Sequence, residues 1–113
     1  MGNGTESNIM SEQTHYIYAL TDPRTNEVRY VGKTKNPDAR FLSHFYRSTQ
    51  KGERSRKEQW IGELKGLGLK PTMIIIDKAE GRKAAVSEWY WIVKFGLEGA
   101  RLLNEQAPRT LVK

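Results

Sequence analysis

Two short runs rich in aromatic and β-branched residues, His15-Tyr-Ile-Tyr-Ala-Leu20 and Glu27-Val-Arg-Tyr-Val-Gly32, stand on either side of Thr21-Asp-Pro-Arg-Thr-Asn26. Such runs suit a pleated, half-buried surface. Between them Pro23 fixes φ and Asp22 can bond nearby backbone, which is turn chemistry. The folded part of the chain therefore begins with a β-hairpin. Pairing symmetric about Arg24 sets Tyr18 opposite Tyr30, with both rings on one face. A slip of one residue would send the rings to opposite faces.

Beyond the hairpin, helical and extended patterns alternate. Asn36-Pro37 supplies an N-cap and a first-turn proline, so a helix starts there and runs to about Arg47. Phe41, Leu42 and Phe45 form its expected buried stripe, and Arg40, His44 and Arg47 line an adjacent flank. A basic loop, 48–55, leads to a second helix over about 56–65, with Trp60, Ile61 and Leu64 inward and Gly66 and Gly68 as its stop. Pro71-Thr-Met-Ile-Ile-Ile-Asp77 reads as a third strand, and its unbroken apolar run implies burial on both faces. The last helix spans about 82–95, with Ala85, Trp89 and Ile92 inward, Glu88 at the margin of that stripe and Gly96 as the stop. The order β-β-α-α-β-α gives a small α+β domain, a mostly antiparallel three-stranded sheet flanked by helices.

With 113 residues there is room for one compact core. We read 1–13 as a disordered N-terminal tail, 14–107 as the domain and 108–113 as a C-terminal tail or linker. Mean hydropathy is −0.70, with no apolar run long enough to span a membrane, so no membrane partner is expected. Cysteine is absent, which excludes disulfide frameworks, zinc–thiolate sites and cysteine nucleophiles. That absence suits a reducing compartment, and the expected location is cytoplasmic.

The charge is concentrated. Between Lys33 and Lys57 stand eight of the 19 Lys and Arg (Lys33, Lys35, Arg40, Arg47, Lys51, Arg54, Arg56, Lys57) against two of the 13 Asp and Glu. This window carries the whole net charge of +6, because the 11 cations and 11 anions elsewhere cancel. A block of one sign suits a polyanion, whose condensed counterions are released when its phosphates are neutralised.

Taken residue by residue, the chemistry-bearing groups are two tyrosines on a hairpin, cations on a helix flank and a carboxylate at a core margin. Phosphodiester hydrolysis needs a water, a group to take its proton, and cations to bear the developing charge. One carboxylate can anchor Mg²⁺, which keeps most of its waters. Arginine matches phosphate in a bidentate way. These residues equally suit a small nucleic-acid-binding domain, with Tyr18 and Tyr30 as half-buried strand aromatics, His44 as a helix-surface residue and Asn104 as a cap. Tyrosine is also an awkward base, with a reference pKa of about 10.

In its order of motifs the chain resembles the GIY-YIG nucleases. The first signature stands as Tyr16-Ile17-Tyr18 and the second as Tyr30-Val31-Gly32. Arg40 comes ten residues after Tyr30, His44 one helical turn later, then Glu88 in a helix and Asn104 in Leu-Leu-Asn. Tyr16 replaces the first glycine of the family pattern and sets a large ring beside the site. Val31 replaces isoleucine, a volume-conserving change.

The resemblance implies a DNA endonuclease that uses one divalent metal, Mg²⁺ or Mn²⁺. In that reading Glu88 holds the metal, Arg40 binds the scissile phosphate, and Tyr18 is the general base or orients the water, with Tyr30 nearby. Lys33 contacts phosphate or lowers a tyrosine pKa, His44 moves a proton or holds phosphate, and Gly32 and Asn104 support the site. Lys33, Lys35, Arg40, Arg47, Lys51, Arg54, Arg56 and Lys57 would bind the DNA phosphates. Specificity is then expected from an appended domain, and a double-strand break from a homodimer or from successive nicks. The alternative is a non-cleaving nucleic-acid-binding module with the same fold.

Overall fold

The computed structural model describes residues 13–48 and 55–105. Within them the order is β1 (Thr14–Thr21), β2 (Val28–Thr34), α1 (Pro37–Arg47), α2 (Arg56–Gly66), β3 (Thr72–Glu80) and α3 (Lys83–Leu97). The three strands form one antiparallel sheet in the order β2-β1-β3, an α+β architecture as the sequence implies. No described helix is long and apolar enough to cross a membrane. The expected tails, except Gln13, lie outside the described residues together with Lys51 and Arg54.

The hairpin forms, with a register that differs from the symmetric one. Tyr18 pairs with Gly32 and Leu20 with Tyr30, and a bulge interrupts the ladder between Leu20 and Thr21. The shift is two residues, so the two tyrosines keep one face; an odd shift would have separated them. The bulge also explains why Val28 and Tyr30 join opposite cores although they are two residues apart. Asp22 ties the turn. Its carboxylate accepts from the backbone and guanidinium of Arg24 at 2.8–3.0 Å and from Trp60 Nε1 at 3.2 Å.

Each face of the sheet carries its own core. Tyr18 and Leu20 meet Trp60, Ile61 and Leu64 of α2 on one side, with Phe41 and Phe45 of α1 packed against them. Ile17 and Val31 meet Ile92 of α3 and Leu102 on the other. The central strand β1 is therefore buried on both faces. β3 is not, which corrects the reading of its apolar run: it is an edge strand, and Ile74 and Ile75 are each 45% exposed. A second bulge, between Ile17 and Tyr18 of β1, leaves Ile76 of β3 without a partner. It turns Ile76 and Asp77 both toward α3, where Ile76 packs and Asp77 accepts from Ser87 Oγ at 2.7 Å and Trp91 Nε1 at 3.0 Å.

Two helices are rotated from their expected settings. In α1 Leu42 is 67% exposed, whereas His44 and the succeeding Ser48 are buried and Phe41 and Phe45 half-buried. The inward positions are thus 41, 44, 45 and 48, a regular helical stripe with two polar members. In α3 Ala84 and Ile92 are buried, while Ala85 and Trp89 are exposed. Glu88, four residues from each of the buried pair, lies on the inward stripe itself. Gly96 stays inside α3, and the chain leaves the helix toward Gly99 at φ +98°.

Asn36 caps α1 through its side chain, accepting from the Ala39 amide at 3.1 Å. Ser55 and Glu58 form a reciprocal capping box at the start of α2.

Candidate active site

Tyr18 is the centre from which the site is built. The central strand carries it, it is 1% exposed, and its ring lies over Gly32 on β2. A β-carbon at position 32 would stand 2.5 Å from Tyr18 Oη and 2.6 Å from Cζ. Glycine is required here for close approach of a ring, not for backbone conformation. On its other side Tyr18 Oη lies 2.7 Å from His44 Nε2. Tyr30 completes the group, its ring centroid 6.2 Å from Tyr18 and 5.6 Å from His44.

The electrostatics fix the charge states of these groups. Burial, and then the Lys57, Arg40 and Arg47 charges, push the His44 imidazole down to about 3, so it is neutral at neutral pH. Burial, and then Tyr30, push the Tyr18 hydroxyl well above the ordinary tyrosine range, against the opposing pull of Arg40. Tyr30 is raised as well, by burial first and the Glu88 charge second. Both groups are therefore neutral, and Oη and Nε2 share one hydrogen bond whose donor is set by the imidazole tautomer.

That assignment carries a stability consequence. The unfolded imidazole protonates near 6.5, the folded one only near 3. Between these values the unfolded chain binds more protons, so stability falls as pH falls, by about 1.4 kcal/mol per pH unit. Urea unfolding between about pH 6 and 4 is expected to show this slope, and His44→Gln to flatten it. An equal slope in the variant would remove His44 as its source.

Glu88 reaches the site from α3. Burial raises its carboxyl above the usual range, and the Lys33 and Arg40 charges only partly offset this. Among the described residues its carboxylate has no hydrogen-bond or salt-bridge partner. A half-buried, unpaired carboxylate is costly unless something cationic shares it. No described group of three His, Asp or Glu side chains could enclose a metal ion. The chain offers instead one hard oxygen ligand, which fits a Mg²⁺-type ion that retains its waters and not a zinc-type cage.

Arg40 is exposed on α1, and its charge acts on Tyr18, Tyr30, His44 and Glu88 together. The sequence-derived residues thus converge: Tyr18, Tyr30, Gly32, Arg40, His44 and Glu88 form one cluster, with Lys33 beside Glu88. Asn104 supports it from behind. Its side chain is buried and forms two bonds with the Val31 backbone, accepting from N–H at 2.9 Å and donating to C=O at 2.7 Å. It holds the free edge of β2 immediately before Gly32.

The basic window divides. Lys35, Arg47 and Arg56 are exposed, as phosphate-tracking residues would be. Lys57 differs: it is half-buried with Nζ 4.8 Å from the Tyr30 ring centroid, and of the charges that depress His44 its own is the strongest. It belongs with the phenols rather than the periphery. Asp77, by contrast, is not marked by the sequence pattern. By holding Ser87 and Trp91, which flank Glu88 on α3, it fixes the rotation of that helix. Its only signal in the sequence is an acid closing an apolar strand.

Compared with known families, residues 14–100 match the family model described as GIY-YIG catalytic domain. Neither a curated protein nor a solved structure matches the chain.

Proposed function

The chain belongs to the GIY-YIG nuclease family, and from that premise we propose that it is a divalent-metal-dependent DNA endonuclease hydrolysing phosphodiesters by in-line attack of water. The observation that carries this reading is the position of Arg40. One solvent-reaching guanidinium acts at once on two phenols, an imidazole and an unpaired carboxylate.

A scissile phosphate paired with Arg40 presents its phosphorus to a water near Tyr18 Oη. In the tautomer that leaves His44 Nε2 unprotonated, as the water oxygen bonds to phosphorus its proton passes to Oη, and the phenol proton passes to Nε2. The bond to the leaving oxygen breaks in line, and that oxygen takes a proton from solvent. Tyr18 acts as a relay in this scheme and need not rest as phenolate, which removes the difficulty of its raised pKa. The phosphodiester also opposes the cationic charges that depress His44, so substrate binding makes the imidazole a better acceptor. Mg²⁺ or Mn²⁺ held by Glu88 would supply additional positive charge at the phosphate oxygens. Lys33, Lys35, Arg47 and Arg56 guide the backbone, and DNA affinity is expected to fall steeply with salt.

The test is nicking of single-stranded, duplex and branched DNA with Mg²⁺ and with chelator. Cleavage that stops on chelation is the expected result. A gel shift with no cleavage of any substrate would replace this reading with a non-cleaving binding module.

A further inference from the structure

The outward face of α3 is not accounted for by the site. Val86, Tyr90 and Leu97 are 71%, 57% and 64% exposed, and Val93 lies in line with them. Their spacing is four, three, four, which draws a straight seam along a helix in the manner of a two-helix coiled coil. Val86 and Glu88 lie about 200° apart around the axis. The seam is therefore opposite the inward stripe of Ala84, Glu88 and Ile92. A helix apolar on both sides belongs in an interior or an interface.

The charges on α3 say which interface. Arg82 and Lys83 stand at its N-terminus, which has no side-chain cap bond and no acid in the first turn. Cations there oppose the helix dipole. At the other end stands Glu98, bonded to Lys94 at 2.8 Å. Laid antiparallel on a second α3, the cations of one copy meet the last carbonyls of the other, beside the internally neutral Lys94–Glu98 pair, which offsets the dipole mismatch. A parallel pair would set like charges side by side.

We propose that this protein self-associates through α3, antiparallel about a two-fold axis between Tyr90 and Val93, with Val86 of one copy packed against Leu97 of the other. The seam is short, so the dimer dissociates on dilution. Both Glu88 side chains face away from it, and the pairing does not depend on the cleavage reading.

Sedimentation of the full chain over a range of concentrations is expected to show mass rising from 13.0 kDa to twice that value. Tyr90→Glu with Leu97→Glu is expected to stay monomeric with an unchanged thermal melt by circular dichroism. Orientation is read by cross-linking, which is clean because the chain has no cysteine. A short bifunctional maleimide should join a mixture of Val86→Cys and Leu97→Cys proteins several-fold faster than either alone. Three results each overturn the proposal: wild-type protein that remains at one chain mass throughout, a double glutamate variant that still dimerises, or single-cysteine proteins that cross-link to themselves as fast as the mixture.

Discussion

Glu88→Ala is expected to reduce DNA cleavage at least about a thousandfold, because metal charge stabilisation is worth several kcal/mol and each 1.4 kcal/mol is tenfold in rate. DNA affinity is expected to hold or rise slightly, since a negative charge near the phosphate path is removed. Stability is the unusual part. Most substitutions on an inward helix stripe destabilise. Here burial raises the carboxyl above its usual range, so at neutral pH the ionised group opposes folding, and alanine removes that opposition. Unfolding should therefore occur at the same or a slightly higher urea concentration. Nicking at the wild-type rate with Mg²⁺ would remove Glu88 as metal anchor. Lost cleavage with an early unfolding transition would instead mark a structural role.

The same residue shows why the sequence conveyed the fold better than its faces. Element order, the Asn36 cap, the inward face of α2 and the shared face of Tyr18 and Tyr30 all arise from local chemistry. The stripes of α1 and α3 went astray. Both contain a polar residue at an inward position, His44 in one and Glu88 in the other. Reading by hydrophobicity moves such a stripe by a residue, to Leu42 or to Trp89. The candidate site residues are the ones that break the pattern, because both His44, buried against a phenol, and the half-buried Glu88 carboxylate turn a polar group inward. β3 failed for another reason. Burial of a strand depends on its place in the sheet, and its run of isoleucines does not reveal that it lies at an edge.

Charge patterning was legible at the level of the window and not of the residue. Concentration of the excess charge within 33–57 pointed to a polyanion partner, and exposed Lys35, Arg47 and Arg56 fit it. Arg40 and Lys57 share that composition but differ in environment, one at the node of the site and the other against Tyr30. Only three-dimensional packing separates cations placed against the candidate site from cations on the open surface. The former are expected to affect rate, the latter the salt dependence of binding.

Gly32→Ala is expected to cost about 1–3 kcal/mol of stability, the usual penalty for forcing a methyl into a filled space. It should also lower cleavage about a hundredfold, the scale of a displacement near 1 Å in a positioned catalytic group. The cause is local. The new carbon would sit 2.5 Å from Tyr18 Oη and 2.6 Å from Cζ, while the ring is enclosed and bonded to His44 behind. The ring must tilt or the strands must part, and either change breaks the bond between Oη and Nε2. Taking away only the oxygen does not relieve the clash, since Cζ remains. Gly32→Ala with Tyr18→Phe is thus expected to be no more stable than Gly32→Ala alone. Gly96→Ala serves as the control. It lies within α3 with nothing within 4 Å of the added carbon, and is expected to stabilise by about 0.5–1 kcal/mol through helix propensity. Urea unfolding and nicking rates on these proteins decide the matter. If Gly32→Ala unfolds and cuts as the wild type does, the contact between Gly32 and Tyr18 is not what holds the phenol in place.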